Sequence, residues 1–312
     1  MGYTKWVKSF FQTAAWGEFK ETAGWRAKNR HGLLELTIKL PMSQTVSYYP
    51  ELEYSASNLE KVKNIIEEEK TNRKMFVRFE FLEPWDEPAA GHLLRFGLIK
   101  SFEELQPEHR QWVSLNMSEA KILEQMKPKG RYNIRIAERH KLKVESGIEI
   151  KQAERFFALY QQTATRAEFR GRGLDYFLAL TKTLAKEGVG EIIIISKDGQ
   201  DLAGGIFLYY QGIASYLYGG SGGDRSLMAP YLMHSEAMKR AKKRGCQIYD
   251  LLAVAPPPPA GGPNHPHAGL TRFKEQFGGE TIRLLGSWDL VNRPLWYKLY
   301  RMIEKRRRKA IN

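Results

Sequence analysis

Apolar residues along this chain recur at two spacings that alternate, and the alternation predicts its elements. Phe10, Phe11, Ala14, Ala15, Phe19 and Ala23 repeat at helical spacing and mark a helix over 9–24, ended by Gly24 and Trp25. Residues 33–40 read as a strand and 46–49 as a possible second one. A helix over 58–70 turns Leu59, Val62, Ile65 and Ile66 inward. Residues 75–82 alternate as a strand does and stop at Pro84, and 111–115 form a further short strand.

The pattern restarts at Ser118. Asn116 or Ser118 can cap a helix running to Met126, and 129–140 is a second, basic helix. A strand near 144–146 leads to helices over 152–165 and 174–186. The unbroken isoleucines within 191–196 predict a strand buried on both faces. Asp198-Gly199 is a hairpin turn into a strand over 202–210, and 213–219 pairs next. This predicts Tyr216 and Tyr218, two apart, on the same strand face. A helix over 231–243, a strand over 248–252 and a last helix over 294–309 with a basic end complete the order. Helix, strands, helix, antiparallel strands, helix and strand thus occur twice. The implied class is α+β, with one domain formed by 1–115 plus 286–312, the other by 116–285, and a cleft between them.

Charge changes the picture. The net charge is +14 and the isoelectric point about 9.6, which favours polyanionic partners: nucleic acid, phosphorylated metabolites or an anionic membrane face. The segment 121–143 carries eight Lys/Arg against two Glu. Its helix is either a nucleic-acid backbone contact through Arg131, Arg135 and Arg139 or a solvated face. A single cysteine, Cys246, excludes an internal disulfide and fits a structural role in a reducing compartment. No signal-peptide pattern and no membrane-length apolar run occurs, so a soluble, cytoplasmic protein is expected, touching membranes peripherally if at all.

The candidate chemistry gathers at Gly269-Leu270-Thr271-Arg272-Phe273-Lys274-Glu275-Gln276-Phe277-Gly278-Gly279-Glu280. Leu270, Phe273 and Phe277 share a helical face, and Gly278 suits the position after the helix end. Lys274 stands beside that face, either an exposed lysine or a partly desolvated cation able to stabilise an oxyanion. A loop with six prolines, over 255–267, leads into it. Arg172 and Tyr176 open a helix behind a Gly171-Arg172-Gly173 turn, which is either a phosphate site or a solvated loop. Tyr216 and Tyr218 either contact a ligand or fill the core. Gly219-Gly220-Ser221-Gly222-Gly223 lacks the Gly-Lys-Ser/Thr ending of a P-loop. His265 and His267 have no third ligand at suitable spacing, so no metal site is expected. No Ser/His/Asp or Cys/His pattern points to covalent catalysis.

Taken together, the segments Gln12–Lys20 (QTAAWGEFK), 131–138 (RYNIRIAE), 172–177 (RGLDYF), 202–210 (LAGGIFLYY), 216–224 (YLYGGSGGD), 249–251 and 269–280 (GLTRFKEQFGGE) resemble the Fem family of non-ribosomal aminoacyl-transferases in order and spread. No long charged helical hairpin interrupts the second half, so the compact FemX-like form fits. The resemblance implies two acetyltransferase-like (GNAT-type) domains. It implies transfer of an amino acid from aminoacyl-tRNA to an amine on the stem peptide of a UDP-linked or lipid-linked peptidoglycan precursor, without a cofactor. By the same resemblance Lys20, Arg172, Tyr176 and Tyr216 or Tyr218 hold the precursor. Phe273 and Lys274 match the catalytic pair, with Lys274 facing the oxyanion. The basic helix would serve the tRNA, and peripheral contact with the inner membrane face would suit a lipid-linked acceptor. Three other classes compete: an aminoacyl- or acyltransferase of the same fold acting on another amine, a plain nucleic-acid-binding protein, and a catalytically inactive interaction module on the duplicated scaffold.

Overall fold

The computed structural model describes residues 8–70 and 74–311, with 307–311 given by their backbone alone. In chain order the strands are β1 (Arg26–Arg30), β2 (Leu33–Lys39), β3 (Thr45–Leu52), β4 (Phe76–Pro84), β5 (Ile99–Lys100), β6 (His109–Ser114), β7 (Lys143–Gly147), β8 (Gly190–Lys197), β9 (Gln200–Tyr210), β10 (Ile213–Ser221), β11 (Ile248–Ala253) and β12 (Glu280–Val291). The helices are α1 (Ala14–Thr22), α2 (Ala56–Glu69), α3 (Glu87–Arg95), α4 (Glu119–Gln125), α5 (Pro128–Arg139), α6 (Ile150–Arg166), α7 (Leu174–Lys186), α8 (Ala229–Lys243), α9 (Ala268–Lys274) and α10 (Pro294–Ile311). Described residues up to Glu108, with those from Arg283 onward, form one compact unit, and His109–Ile282 form the other.

In the first unit the order β1-β2-β3-β4-β12 makes a sheet that is parallel only between β3 and β4, with β5 pairing on β12. The helix expected over 9–24 is interrupted. Phe10–Gln12 is a 3-10 turn, and Thr13 then caps α1 by accepting from the Trp16 amide at 3.2 Å. Tyr49, Phe79, Val62, Ile65, Leu93 and Trp288 form the core between sheet and helices. Arg78 is buried in the sheet and grips Asp289 with two bonds, Nε to Oδ1 at 2.7 Å and Nη2 to Oδ2 at 2.8 Å. Its Nη1 donates to Glu103 at 2.7 Å. Tyr297 and Tyr300 reach in from α10 to the same two carboxylates, each at 2.7 Å. A buried charge must be paired, so these bonds fix the inner face of α10.

In the second unit the order is β6-β11-β10-β9-β8-β7, parallel only between β10 and β11. Ile192 to Ile195 are all fully buried. Ile193 and Ile195 join the core shared with Ile134 of α5 and Met233 and Ala237 of α8. Gly204, beside Ile194, lies instead against Phe156 and Leu159 of α6. Asp198 and Gly199 both take positive φ, 49° and 81°, as a tight two-residue hairpin turn requires. Cys246 is buried and unpaired, and burial pushes its thiol up to about 11.

The expectation that Tyr216 and Tyr218 share a face fails. Tyr216 pairs with Phe207 and Tyr218 with Ile206, so one extra residue is inserted in β10 between them. A bulge of this kind reverses the alternation of faces. Tyr216 therefore stacks on Phe207 on the α8 side, with centroids 5.5 Å apart. Tyr218 meets Phe177 of α7 at 5.1 Å on the other side. Two glycines after the bulge permit the close packing there. A Cβ on Gly219 would collide with the Tyr216 hydroxyl, and one on Gly220 would lie 2.5 Å from the Tyr160 backbone nitrogen of α6.

Candidate active site

The helix carrying the candidate catalytic pair is short. α9 ends at Lys274, and a 3-10 turn, Glu275–Phe277, follows it. Gly278 and Gly279 then both take positive φ, 77° and 76°. A Cβ on Gly279 would run into the Trp112 carbonyl, so this exit from the helix needs glycine. Gln111 Nε2 donates to the Gly278 carbonyl at 2.7 Å and ties the exit to β6. At the other end, Thr271 Oγ1 accepts from the Ala255 amide at 2.7 Å, which anchors the start of the proline loop.

Lys274 is buried, with 4% of its surface exposed. Its Nζ donates to the Ala253 carbonyl at 2.7 Å. The irregular end of β11, between Asp250 and Ala253, presents that carbonyl. No carboxylate among the described residues pairs with the ammonium, so two of its three N–H donors are uncommitted. Burial pushes its pKa down to about 7, and the charge of Asp250 pulls weakly the other way. Asp250 itself pairs with Arg110 at 3.1 Å. At neutral pH Lys274 is therefore divided between ammonium and free amine.

The surroundings of Lys274 are aromatic. Its Nζ lies 6.0 Å from the centroid of Tyr216. Phe273 packs on Tyr231 at 5.2 Å and on Phe277 at 5.3 Å. His234 of α8 is fully buried among these rings, 4.5 Å from Tyr216, 4.7 Å from Phe277 and 5.5 Å from Phe273. Its Nδ1 shares a hydrogen bond of 2.6 Å with the Tyr249 hydroxyl, and its Nε2 has no partner. Burial, assisted by the charge of Lys274, pushes His234 down to about 3, so it is neutral. The sequence reading passed over His234, although the signal was there. It falls on the same helical face as Ala237, Met238 and Ala241, a polar residue on a core stripe.

A cleft of about 1150 Å³ opens in this unit. Tyr216, Tyr231 and Phe273 line part of it, and Gly219–Gly222 another part, while Lys274 lies behind the lining. Lys127, Lys129, Arg166, Arg225 and Arg272 border it, against Asp224 and Glu275. Lys127 pairs with Glu275 at 2.6 Å, and Arg166 donates to the Ser221 carbonyl and hydroxyl, each at 3.0 Å.

The predicted site residues divide into groups. Phe273, Lys274 and Tyr216 come together around the aromatic wall. Arg172, Tyr176 and Tyr218 form a second group on the opposite face of the sheet. There the Arg172 guanidinium lies 5.1 Å from the Tyr176 ring, and the Tyr176 and Tyr218 hydroxyls bond at 2.8 Å. Burial raises both of those phenols, so each keeps its proton. Lys20 belongs to the first unit, where its ammonium lies 5.2 Å from Trp25 and 5.9 Å from Trp16. On α5, Arg131 donates to the Glu124 carbonyl at 3.1 Å and to that of Met126, capping the end of α4. Arg135 and Arg139 are exposed, and it is Lys129 and Asn133 of this helix that border the cleft.

The two α+β units have counterparts in their fold. A crystal structure of FemX superposes with a TM-score of 0.82 at 18% identity, covering 95% of both chains. The fold is thus α+β with two GNAT-like domains of the FemX kind. The FemAB family model matches residues 95–192 and 186–305, and the chain belongs to the FemAB family. It is 28% identical over 113 residues to the UDP-N-acetylmuramoylpentapeptide-lysine N(6)-alanyltransferase of Weissella viridescens, covering 36% of this chain and 33% of that one. It is 30% identical over 132 residues to the lipid II:glycine glycyltransferase of Staphylococcus haemolyticus, covering 40% and 29%. The matched stretches span about a third of these curated relatives, both of which are transferases by name.

Proposed function

We propose that this protein transfers an amino acid from aminoacyl-tRNA to an amine on the stem peptide of a peptidoglycan precursor, UDP-linked or lipid-linked. We place the reaction in the cytoplasm, at the inner membrane face when the acceptor is lipid-linked. The observation that carries the reading is a buried lysine, bonded to the Ala253 carbonyl and without a carboxylate partner among the described residues, beside the aromatic wall of a basic cleft. An aminoacyl ester is already activated. The acceptor amine attacks its carbonyl, a C–N bond forms, the C–O bond to the terminal ribose breaks, and the ribose oxygen leaves with a proton. The protein must hold amine against carbonyl and stabilise one oxyanion. Lys274 is assigned the second task, and Phe273 and Tyr216 exclude water around it. Lys20, Arg172, Tyr176 and Tyr218 are assigned to the phosphorylated precursor, and the basic border of the cleft to the tRNA.

The transfer is tested by incubating the protein with labelled mixed aminoacyl-tRNAs and both precursor forms. Label in the stem peptide supports the reading. Label found only on another amine, such as a protein N-terminus, supports a different acceptor. Bound tRNA with no transfer supports a binding protein.

Two further outcomes are expected. Arg172→Ala and Lys20→Ala should each weaken the phosphorylated acceptor by about 1.5–3 kcal/mol, the scale of a charge-assisted bond. Calorimetry giving wild-type affinity in both variants contradicts their role. The tRNA affinity should fall steeply with salt. Lys129→Ala, Arg225→Ala and Arg272→Ala combined should flatten the log–log slope by about two, at roughly 0.7 per lost single-strand contact. Arg135→Ala with Arg139→Ala should flatten it less. The reverse order would place the tRNA on the outer face of α5.

A further inference from the structure

The outer face of α10 is apolar where solvent should favour polar residues. Leu295 is 85% exposed, Ile303 53% and Met302 49%, and Leu299 lies between them. At 100° per residue these four fall within a single arc. Met42, 71% exposed, extends the patch from the β2–β3 turn. A groove of about 280 Å³ separates that turn from Leu299 and Ile303. The helix cannot turn this face inward, because Tyr297 and Tyr300 hold its other side to Asp289 and Glu103.

Charge identifies the occupant. The segment Pro294–Ile311 has seven Lys/Arg and one Glu. That Glu304 is buried, whereas Lys298 and Lys305 are exposed along one edge of the apolar arc and Arg306 is exposed at its C-terminal end. No described helix is long and apolar enough to cross a membrane. An apolar stripe bordered by basic side chains suits a helix lying in the plane of an anionic bilayer, with its apolar side chains among the acyl chains and its cations at the headgroups.

We infer that α10, with the Met42 turn, is a membrane-docking face that seats this protein on an anionic lipid surface. This deepens, and rests on, the reading that the acceptor can be offered at a membrane. The protein should float with vesicles of phosphatidylcholine and phosphatidylglycerol. Leu295→Ser with Met302→Ser leaves the net charge unchanged and touches only exposed side chains. It should reduce vesicle partition about ten-fold, because apolar insertion is lost while electrostatic attraction remains. Transfer to a water-soluble acceptor and the circular dichroism spectrum should not change. Wild-type protein that fails to float overturns the inference, as does a double variant that floats equally well. A wild-type dimer that the double variant dissociates overturns it too, since a second copy would then cover the face. If the double variant also loses transfer to the soluble acceptor, the helix acts through the fold and the docking role is refuted. Flotation remains readable even if no transfer occurs, so the two readings fail separately.

Discussion

Lys274→Met is expected to slow transfer by about 10²–10³-fold, the scale for losing one oxyanion donor, and to make the protein more stable. The two effects have one cause. Burying the ammonium without a carboxylate costs free energy, which is why the pKa of Lys274 falls to about 7. Between about pH 7 and its unfolded value of 10.5, the lysine is neutral when folded and charged when unfolded. Unfolding then takes up a proton, so the Lys274 contribution to stability rises with pH across that window and is flat below it. Methionine removes this term and fills similar space. Against the lost bond to Ala253, the net gain near pH 7 should be about 1–3 kcal/mol, shrinking towards pH 10. Chemical denaturation of both proteins at pH 6, 7, 8.5 and 10 checks it. A variant less stable than wild type at every pH would mean that Lys274 supports the fold rather than the reaction.

The largest loss of stability is expected from Asp289→Ala. Arg78 would keep only Glu103 as an ionic partner, inside the core of the first unit. Breaking a buried pair by removing one member costs about 3–5 kcal/mol, a large part of the roughly 5–15 kcal/mol typical of a folded protein. The Tyr297 bond that anchors α10 would go with it. Asp289→Asn, which keeps the shape and an acceptor, should cost clearly less. A loss under about 1 kcal/mol for the alanine variant would show that water or a rearranged neighbour satisfies Arg78.

Much of this was legible in the chain because local signals agreed with the final packing. The spacing 174–186 matches α7, and the Asp198-Gly199 turn and the isoleucine strand stand where the pattern put them. Phe273 and Phe277 do share a face, at 5.3 Å. What could not be read depends on pairing between distant segments. Arg26-Ala27-Lys28-Asn29-Arg30 has no apolar alternation, and it is a strand because β2 supplies its hydrogen bonds. The bulge that separates Tyr216 from Tyr218 exists only in the register against β9. Simple period-two counting therefore merged two faces of the sheet into one. The depth of Lys274 was missed for a similar reason: the neighbours of its ammonium, the Ala253 carbonyl and the Tyr216 ring, come from β11 and β10, not from its own helix. α3 was readable and overlooked, since Asp86 caps it and Pro88 lies in its first turn.

The central claim is that Lys274 in its ammonium form carries the transfer of an aminoacyl group, and single-turnover kinetics test it most directly. Excess enzyme is mixed with labelled aminoacyl-tRNA and saturating stem-peptide acceptor, and label in the acceptor is followed from pH 6 to 9. With acceptor ionisation corrected by a parallel uncatalysed reaction, the wild-type rate should fall above about pH 7, as Lys274 loses its proton. Lys274→Met should be slower by about 10²–10³-fold near pH 7 and should lack that limb. A Met variant that transfers at the wild-type rate with the same pH profile would contradict the account.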